Sequence, residues 1–269
     1  MTCYLFIISA MIIFIIAKNK NNIMLRWAIR KNHIKIFIQP IVDAHDKSIV
    51  GGEILLRWID DKKRSTPPEK FIAMAEKNNL LLDLTELSLL KLANQLMAKK
   101  TNRKFIFFVN INASQIKNKR LIDICECFMK KINTSMTTLV LELTEHEFIF
   151  IDDNVKKNLY AIRNMGIKIA LDDFGSKNSN LIYLLEFIPD YIKIDKSFIQ
   201  SLNNIEAAKY IIEELEVLSK KLSIKTIAEG VECKEQLTEL NRIGVDYIQG
   251  YFFGKANYYK SFFKGLHSE

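Results

Sequence analysis

Ile167–Gly175 reads I-K-I-A-L-D-D-F-G. Its first five residues have the apolar character of a short buried strand, and two carboxylates stand side by side where that strand should end. Adjacent anions at a strand terminus repel and resist desolvation, so Asp172 and Asp173 need compensation. A divalent cation suited to hard oxygen ligands, magnesium or manganese, supplies it; an acidic turn running into Phe-Gly is the other reading of this stretch alone. The deciding question is whether other strands end the same way.

Outward from this stretch, strand and helix patterns alternate. Ile23–Lys31 reads as a short amphipathic helix, Ile34–Gln39 as a strand ended by Pro40, and Ile49–Arg57 as the next strand after a turn around His45–Lys47. Pro67 and Pro68 open a helix to about Lys77, and a second helix fits Leu84–Lys99 with Asp83 or Thr85 to cap it. Phe105–Val109 and Thr138–Leu143 read as strands, Asn118–Lys131 and Asp152–Met165 as helices. Downstream come a short helix at Leu181–Phe187, a strand at Tyr191–Ile194 and a long helix at Ile205–Leu222. Ile224–Ala228, Lys234–Ile243, Asp246–Ile248 and Tyr258–Phe263 then give strand, helix, strand, helix. Alternation over about 240 residues predicts an α/β fold with parallel strands and crossover helices. A (β/α)8 barrel matches the length, and a doubly wound open sheet is the alternative. No glycine-rich phosphate loop follows the first strand, which argues against a dinucleotide-binding sheet. The first two strands look like an antiparallel hairpin, a local departure from a regular barrel.

Composition narrows the function. The chain has 269 residues, 49% of them hydrophobic, enough for one large core or two modest ones. Its four cysteines (Cys3, Cys125, Cys127, Cys233) have neither metal-type nor paired spacing and point to a reducing compartment. The net charge of +8 comes from scattered lysines, so a solvated surface with some attraction to an anionic membrane is expected, and no DNA or RNA partner. Residues 1–17 (M-T-C-Y-L-F-I-I-S-A-M-I-I-F-I-I-A) are almost wholly apolar and precede Lys18, Lys20, Arg26 and Arg30. That length is at the short end of the roughly 17–25 residues that span a bilayer, and no basic leader or cleavage site accompanies it. The expectation is an uncleaved transmembrane anchor at 1–17, with a remnant hydrophobic tail the alternative, a linker at 18–22 and a domain at 23–269. The trailing positive charge puts that domain on the cytoplasmic side of the inner (cell) membrane.

Other strands do end in polar residues. F-I-F-F-V ends in Asn110, T-T-L-V-L in Glu142, K-T-I-A in Glu229 and D-Y-I in Gln249. D-Y-I-K-I holds Lys193 with Asp195 just after, and I-V-G-G runs into Glu53, Leu55 and Arg57. In a barrel these ends share one rim, where catalytic residues collect. Glu53, Asn110, Glu142 and Asp172 are four oxygen ligands for one ion, and Asp173 with Glu229 suits a second. So many carboxylates in a low-dielectric cleft repel unless metal is present. Two hard cations side by side serve in-line displacement at phosphorus. Lys193 would neutralise charge or orient the attacking water, and Arg57 is a candidate for a phosphate oxygen. The four histidines show no ligand spacing, and no Ser/His/Asp set supports nucleophilic hydrolysis.

The ordered motifs carry a resemblance. Q-P-I-V-D at 39–43, E-I-L-L-R-W at 53–58, V-N-I-N at 109–112, E-L-T-E at 142–145 and D-D-F-G at 172–175 resemble the EAL domains, bacterial phosphodiesterases of cyclic di-GMP. I-K-I-D at 192–195, A-E-G-V-E at 228–232 and Q-G-Y-F-F-G-K at 249–255 complete a series covering nearly all of 23–263. The resemblance implies a modified TIM barrel whose first strand runs against the others. It implies that Glu53, Asn110, Glu142 and Asp172 hold a first metal, and that Asp173 and Glu229 serve a second metal and the attacking water. Lys193 matches the catalytic lysine; Gln39, Leu55, Arg57, Asp195 and Gln249 match substrate or supporting contacts. Glu145 matches the glutamate that steadies the loop after Asp173, and Glu232 a supporting acid. The implied reaction opens cyclic di-GMP to linear pGpG with Mg2+ or Mn2+, with Ca2+ inhibitory and a homodimer expected.

Three departures stand against the pattern. Ile54 replaces an alanine, Asn112 a serine, and Ser176-Lys177-Asn178-Ser179-Asn180 the usual T-G-Y-S-S, with Lys177 at a glycine position. An enzyme is expected because every ligand-type residue is present; a module that binds nucleotide or protein without turnover is the alternative.

Overall fold

The computed structural model describes residues 21–98, 103–132, 134–144, 152–175, 183–259 and 262. The expected anchor at 1–17 lies outside them, as do Glu145 and the 176–180 segment. Among the described residues no helix is long and apolar enough to cross a membrane.

In chain order the elements are α1 (21–30), β1 (Ile34–Asp43), β2 (Ile49–Ile59), β3 (Ser65–Thr66), α2 (Pro68–Lys77), α3 (Leu81–Ala98), β4 (Phe105–Ile111), α4 (Ala113–Ile116), α5 (Lys119–Lys131) and β5 (Thr137–Thr144). Then follow α6 (Asp153–Asn164), β6 (Lys168–Phe174), α7 (Tyr183–Glu186), β7 (Tyr191–Ile194), α8 (Lys196–Ser201), α9 (Glu206–Leu222), β8 (Lys225–Glu229), α10 (Lys234–Ile243), β9 (Tyr247–Gln249) and β10 (Asn257–Tyr258). The chain divides into two compact units, one built from residues up to 36 with 56–88, the other from 37–55 with 89 onward.

The larger unit holds a closed barrel. Its strands run in the order β1-β9-β8-β7-β6-β5-β4-β2, and β2 pairs back to β1. All neighbouring pairs from β2 through β4 to β9 are parallel, while β1 is antiparallel to β9. The hairpin of β1 and β2 therefore reverses one strand of an otherwise regular α/β barrel.

The barrel interior is plugged by Ile41, Phe108, Val140, Ala170, Tyr191 and Ile227, with Val50, Ile106 and Tyr247 partly buried beside them. Phe108 and Tyr191 meet edge to face at 5.3 Å, the favoured geometry for paired rings. Outside the strands, Ile199, Ile212, Leu237 and Leu240 from α8, α9 and α10 pack on Ile194, Ala228 and Ile248. The strands are thus buried on both faces, which is why they read as continuous apolar runs. The smaller unit has its own core of Leu25, Ala28, Ile34, Trp58, Phe71, Leu80 and Leu84.

Several boundaries differ from expectation. β1 runs through Pro40 because its ladder changes partner there: Phe37 and Ile38 face β10, Ile41–Asp43 face β9. A residue without an N–H sits at that junction at little cost. Tyr258, expected to open a helix, is instead in β10 and pairs with Phe37. The short helices α4 and α8 carry too few residues for a periodic signal. Each is set by a side-chain cap, Asn112 for α4 and Asp195 for α8.

Candidate active site

Strand periodicity builds the site. Side chains two residues apart share a face, so on six strands an interior apolar residue is followed by a site residue one layer higher. Phe108 precedes Asn110, Val140 precedes Glu142, Ala170 precedes Asp172, Tyr191 precedes Lys193, Ile227 precedes Glu229 and Tyr247 precedes Gln249. The polar ring therefore rests on the apolar plug, at the C-terminal end of the parallel strands.

Lys193 stands at its centre, 1% exposed. Its Nζ lies 2.6 Å from Glu229 Oε1, 2.9 Å from Glu142 Oε1, 3.0 Å from Asp172 Oδ1 and 3.4 Å from Glu53 Oε2. Asn110 Nδ2 donates to Glu53 Oε1 at 2.6 Å, and Gln249 Nε2 donates to Glu53 Oε2 at 2.7 Å. Asp173 joins from the edge: oxygens of Asp172, Asp173 and Glu229 lie within 4.8 Å of one another.

The charges respond to this crowding. Burial alone would lower the Lys193 ammonium, but the surrounding Asp172, Glu142, Glu229 and Glu53 hold it well above its ordinary range. Burial raises the Glu53 carboxyl, yet Lys193, Gln249 and Asn110 outweigh it and the net direction is down. Glu142 goes the other way, pushed up by burial and by Glu53 and Asp172 beyond what Lys193 offsets. Glu229 is pushed up to about 8, again chiefly by burial.

One ammonium cannot balance four carboxylates. Glu142 is fully buried; its Oε1 meets the shared Lys193 ammonium, its Oε2 has no hydrogen-bond partner among the described residues, and Asp172 Oδ1 likewise relies on that one ammonium. Buried carboxylate oxygens left this way carry a desolvation cost that a divalent cation relieves. The donor set, all oxygen and mostly anionic, fits magnesium or manganese rather than a softer metal.

β6 bends to bring both aspartates to the rim. Its pairing with β7 shifts between Leu171 and Phe174, and Asp173 sits at φ 54°. A non-glycine residue there is held in a sparsely populated region, a feature that collects at active sites. Gly175 follows at φ 97°, and a Cβ on it would come within 2.4 Å of the Phe198 ring, so only glycine fits.

The remaining sequence-selected residues lie differently. Gln39 and Leu55 are half-buried on β1 and β2 of the same unit. Asp195 caps α8, accepting from the Ser197 backbone N at 2.9 Å and from its hydroxyl. Glu232 is exposed just before α10. Arg57 belongs to the smaller unit, where it donates to Leu56 O at 2.9 Å. Asn112, one of the departures from the family pattern, forms a reciprocal cap with Gln115 two residues after Asn110, a role serine shares.

A family model described as the EAL domain matches residues 23–256. The chain is 37% identical over 234 residues to the probable cyclic di-GMP phosphodiesterase PdeG of Escherichia coli strain K12, covering 86% of this chain and 46% of that protein. It is 31% identical over 228 residues to the cyclic di-GMP phosphodiesterase PdeL of the same organism, covering 84% and 63%. Among solved structures, the PaMucR phosphodiesterase in complex with c-di-GMP matches with a TM-score of 0.81 and 28% identity, over 90% of this chain and 99% of that one. The manganese/c-di-GMP complex of Klebsiella pneumoniae BlrP1 matches with a TM-score of 0.71 and 26% identity, over 84% and 56%. With its strand-end carboxylates gathered round one buried lysine and the family's model matched along most of its length, the chain belongs to the EAL-domain family.

Proposed function

We propose that this chain hydrolyses cyclic di-GMP to linear pGpG in a metal-dependent reaction. The observation that carries the reading is the ring of Glu53, Glu142, Asp172 and Glu229 around Lys193, more acid than a structural ion pair needs. Glu53, Asn110, Glu142 and Asp172 would hold one Mg2+ or Mn2+, with Asp173 and Glu229 toward a second. When bound, such ions activate water and steady the leaving oxygen of a phosphodiester. Asn110 and Gln249 fix the Glu53 carboxylate from both sides, so its lone pairs keep one direction. Lys193 offers positive charge next to the oxygens of Glu229, where an attacking water would sit. Gln39, Leu55, Arg57 and Asp195 are assigned to substrate and supporting contacts through the family motif. Residues 1–17 would anchor the domain at the cytoplasmic face of the cell membrane, as a homodimer.

The test uses the full chain in detergent with cyclic di-GMP and manganese. Linear pGpG should form, Ca2+ in place of manganese should stop it, and Glu53→Ala should abolish it. A folded protein that gives no product at micromolar concentration sinks the reading. Nucleotide binding by calorimetry without turnover would then favour a sensor module.

A further inference from the structure

We propose that the outward face of α1 lies along an anionic lipid headgroup surface. The proposal rests on reading residues 1–17 as a membrane anchor and goes beyond it, because it concerns a folded surface of the smaller unit.

α1 has two unlike faces. Leu25 and Ala28 are fully buried in the unit's core, whereas Ile23, Met24 and Trp27 are 54%, 39% and 47% exposed. Ile23 and Trp27 are four apart and so lie one above the other on the helix. Scattered exposed apolar residues need no explanation, but three on ten residues of helix, one of them an indole, form a stripe. Trp27 is oriented by an edge-to-face contact with His33 at 4.6 Å, which leaves the rest of the ring outward.

The charges on α1 itself have one sign. Arg26, Arg30 and Lys31 are all exposed, and no Asp or Glu occurs anywhere in residues 1–42. Asp61 reaches His33 at 3.2 Å, which brings the exposed Lys62 and Lys63 to the same end of α1. An apolar stripe with Trp, flanked by cations, is the pattern of a helix lying in a membrane interface. A protein partner would accept mixed charge. The exposed face of α9 shows that alternative, with Tyr210, Ile211 and Val217 set among Glu213 and Glu214. Placement agrees as well: Ile23 follows Ala17 by six residues, so a bilayer holding 1–17 is within about 20 Å of it.

The chain has two tryptophans, and Trp58 is 5% exposed. The full chain carrying Trp58→Phe therefore reports from Trp27 alone; Trp27→Phe, which keeps Trp58, gives the background if the first variant folds poorly. Each is reconstituted into phosphatidylcholine vesicles with and without phosphatidylglycerol and floated. In phosphatidylglycerol vesicles, Trp27 should be shielded several-fold from acrylamide and quenched more by lipids brominated near the headgroup than near the chain ends. Combining Arg26→Gln, Arg30→Gln and Lys31→Gln should reverse the shielding while the chain still floats. A floating chain whose Trp27 stays open to acrylamide overturns the proposal and leaves the anchor standing. No flotation overturns both, and neither result touches the phosphodiesterase reading, which is scored by pGpG. Shielding that ignores lipid charge and rises with protein per vesicle assigns the face to a second copy and also overturns it.

Discussion

The two ends of the barrel treat carboxylates in opposite ways. At the N-terminal end, Asp190 meets Lys168 at 2.8 Å and Arg163 at 3.3 Å, and its other bond is to the Ile169 backbone N. Asp246 likewise meets Lys225 at 2.6 Å and the Thr226 backbone N at 3.0 Å. Each acid there ties the start of one strand to its neighbour and is fully compensated. At the C-terminal rim, four acids share Lys193, and Glu142 keeps its Oε2 without a hydrogen bond among the described residues. Similar chemistry thus staples one end and loads the other with charge that folding alone does not require. The excess marks the working end.

That contrast can be broken by substitution. The largest effect is expected from Lys193→Met, which removes the common partner of four acids. Turnover should fall by ~1000-fold or more, about 4 kcal/mol of barrier, with circular dichroism in manganese reporting an intact fold. Retained turnover would show that Lys193 merely neutralises the ring.

Metal should act next. If the rim is built for divalent ions, manganese at one hundred times its Kd adds about 2.7 kcal/mol to stability and raises Tm by several degrees. Glu142→Gln should raise the metal-free Tm, because a repelling buried charge is gone, and shrink the manganese shift. The same manganese titration on Asp246→Asn should give an undiminished shift. A metal-free Tm that drops in Glu142→Gln would mean the acid is a staple like those at the other end.

The smallest effect belongs to the compensated end. Asp246→Asn loses a partly exposed ion pair and weakens a backbone contact, at a cost of about 1–2 kcal/mol. Urea denaturation should register that loss while the rate of pGpG formation stays within about twofold, since no site residue is touched. A larger loss of turnover than of stability would erase the distinction between the ends.

Much of this was legible in the residues. The apolar runs at 105–109, 138–143 and 167–171 mark buried strands, and the polar residue closing each could be read as a rim. Period two then carries a side chain from the plug to the site without further information. Less legible were features that depend on a partner distant in sequence. Pro40 reads as a strand end because its missing N–H is a local fact, whereas the change of ladder partner beside it comes from β9 and β10. α4 and α8 leave no signal in the sequence because four and six residues cannot show a helical period, and their caps look like ordinary loop residues. Asp195 is one of them: its motif position suggested a contact, and its side chain is engaged with Ser197.

The sequence by itself determined the class of fold, the family and the identity of the polar strand ends, because apolar periodicity and ordered motifs are local properties of the chain. The tertiary structure decided what the opening aspartates belong to. Barrel closure sets Glu53, from the second strand, and Glu229, from the eighth, within 3.4 Å and 2.6 Å of a single ammonium. Only closure puts acids so far apart in the chain on one cation. The imbalance that results, four carboxylates to one lysine, is a property of the assembled rim and of no segment within it.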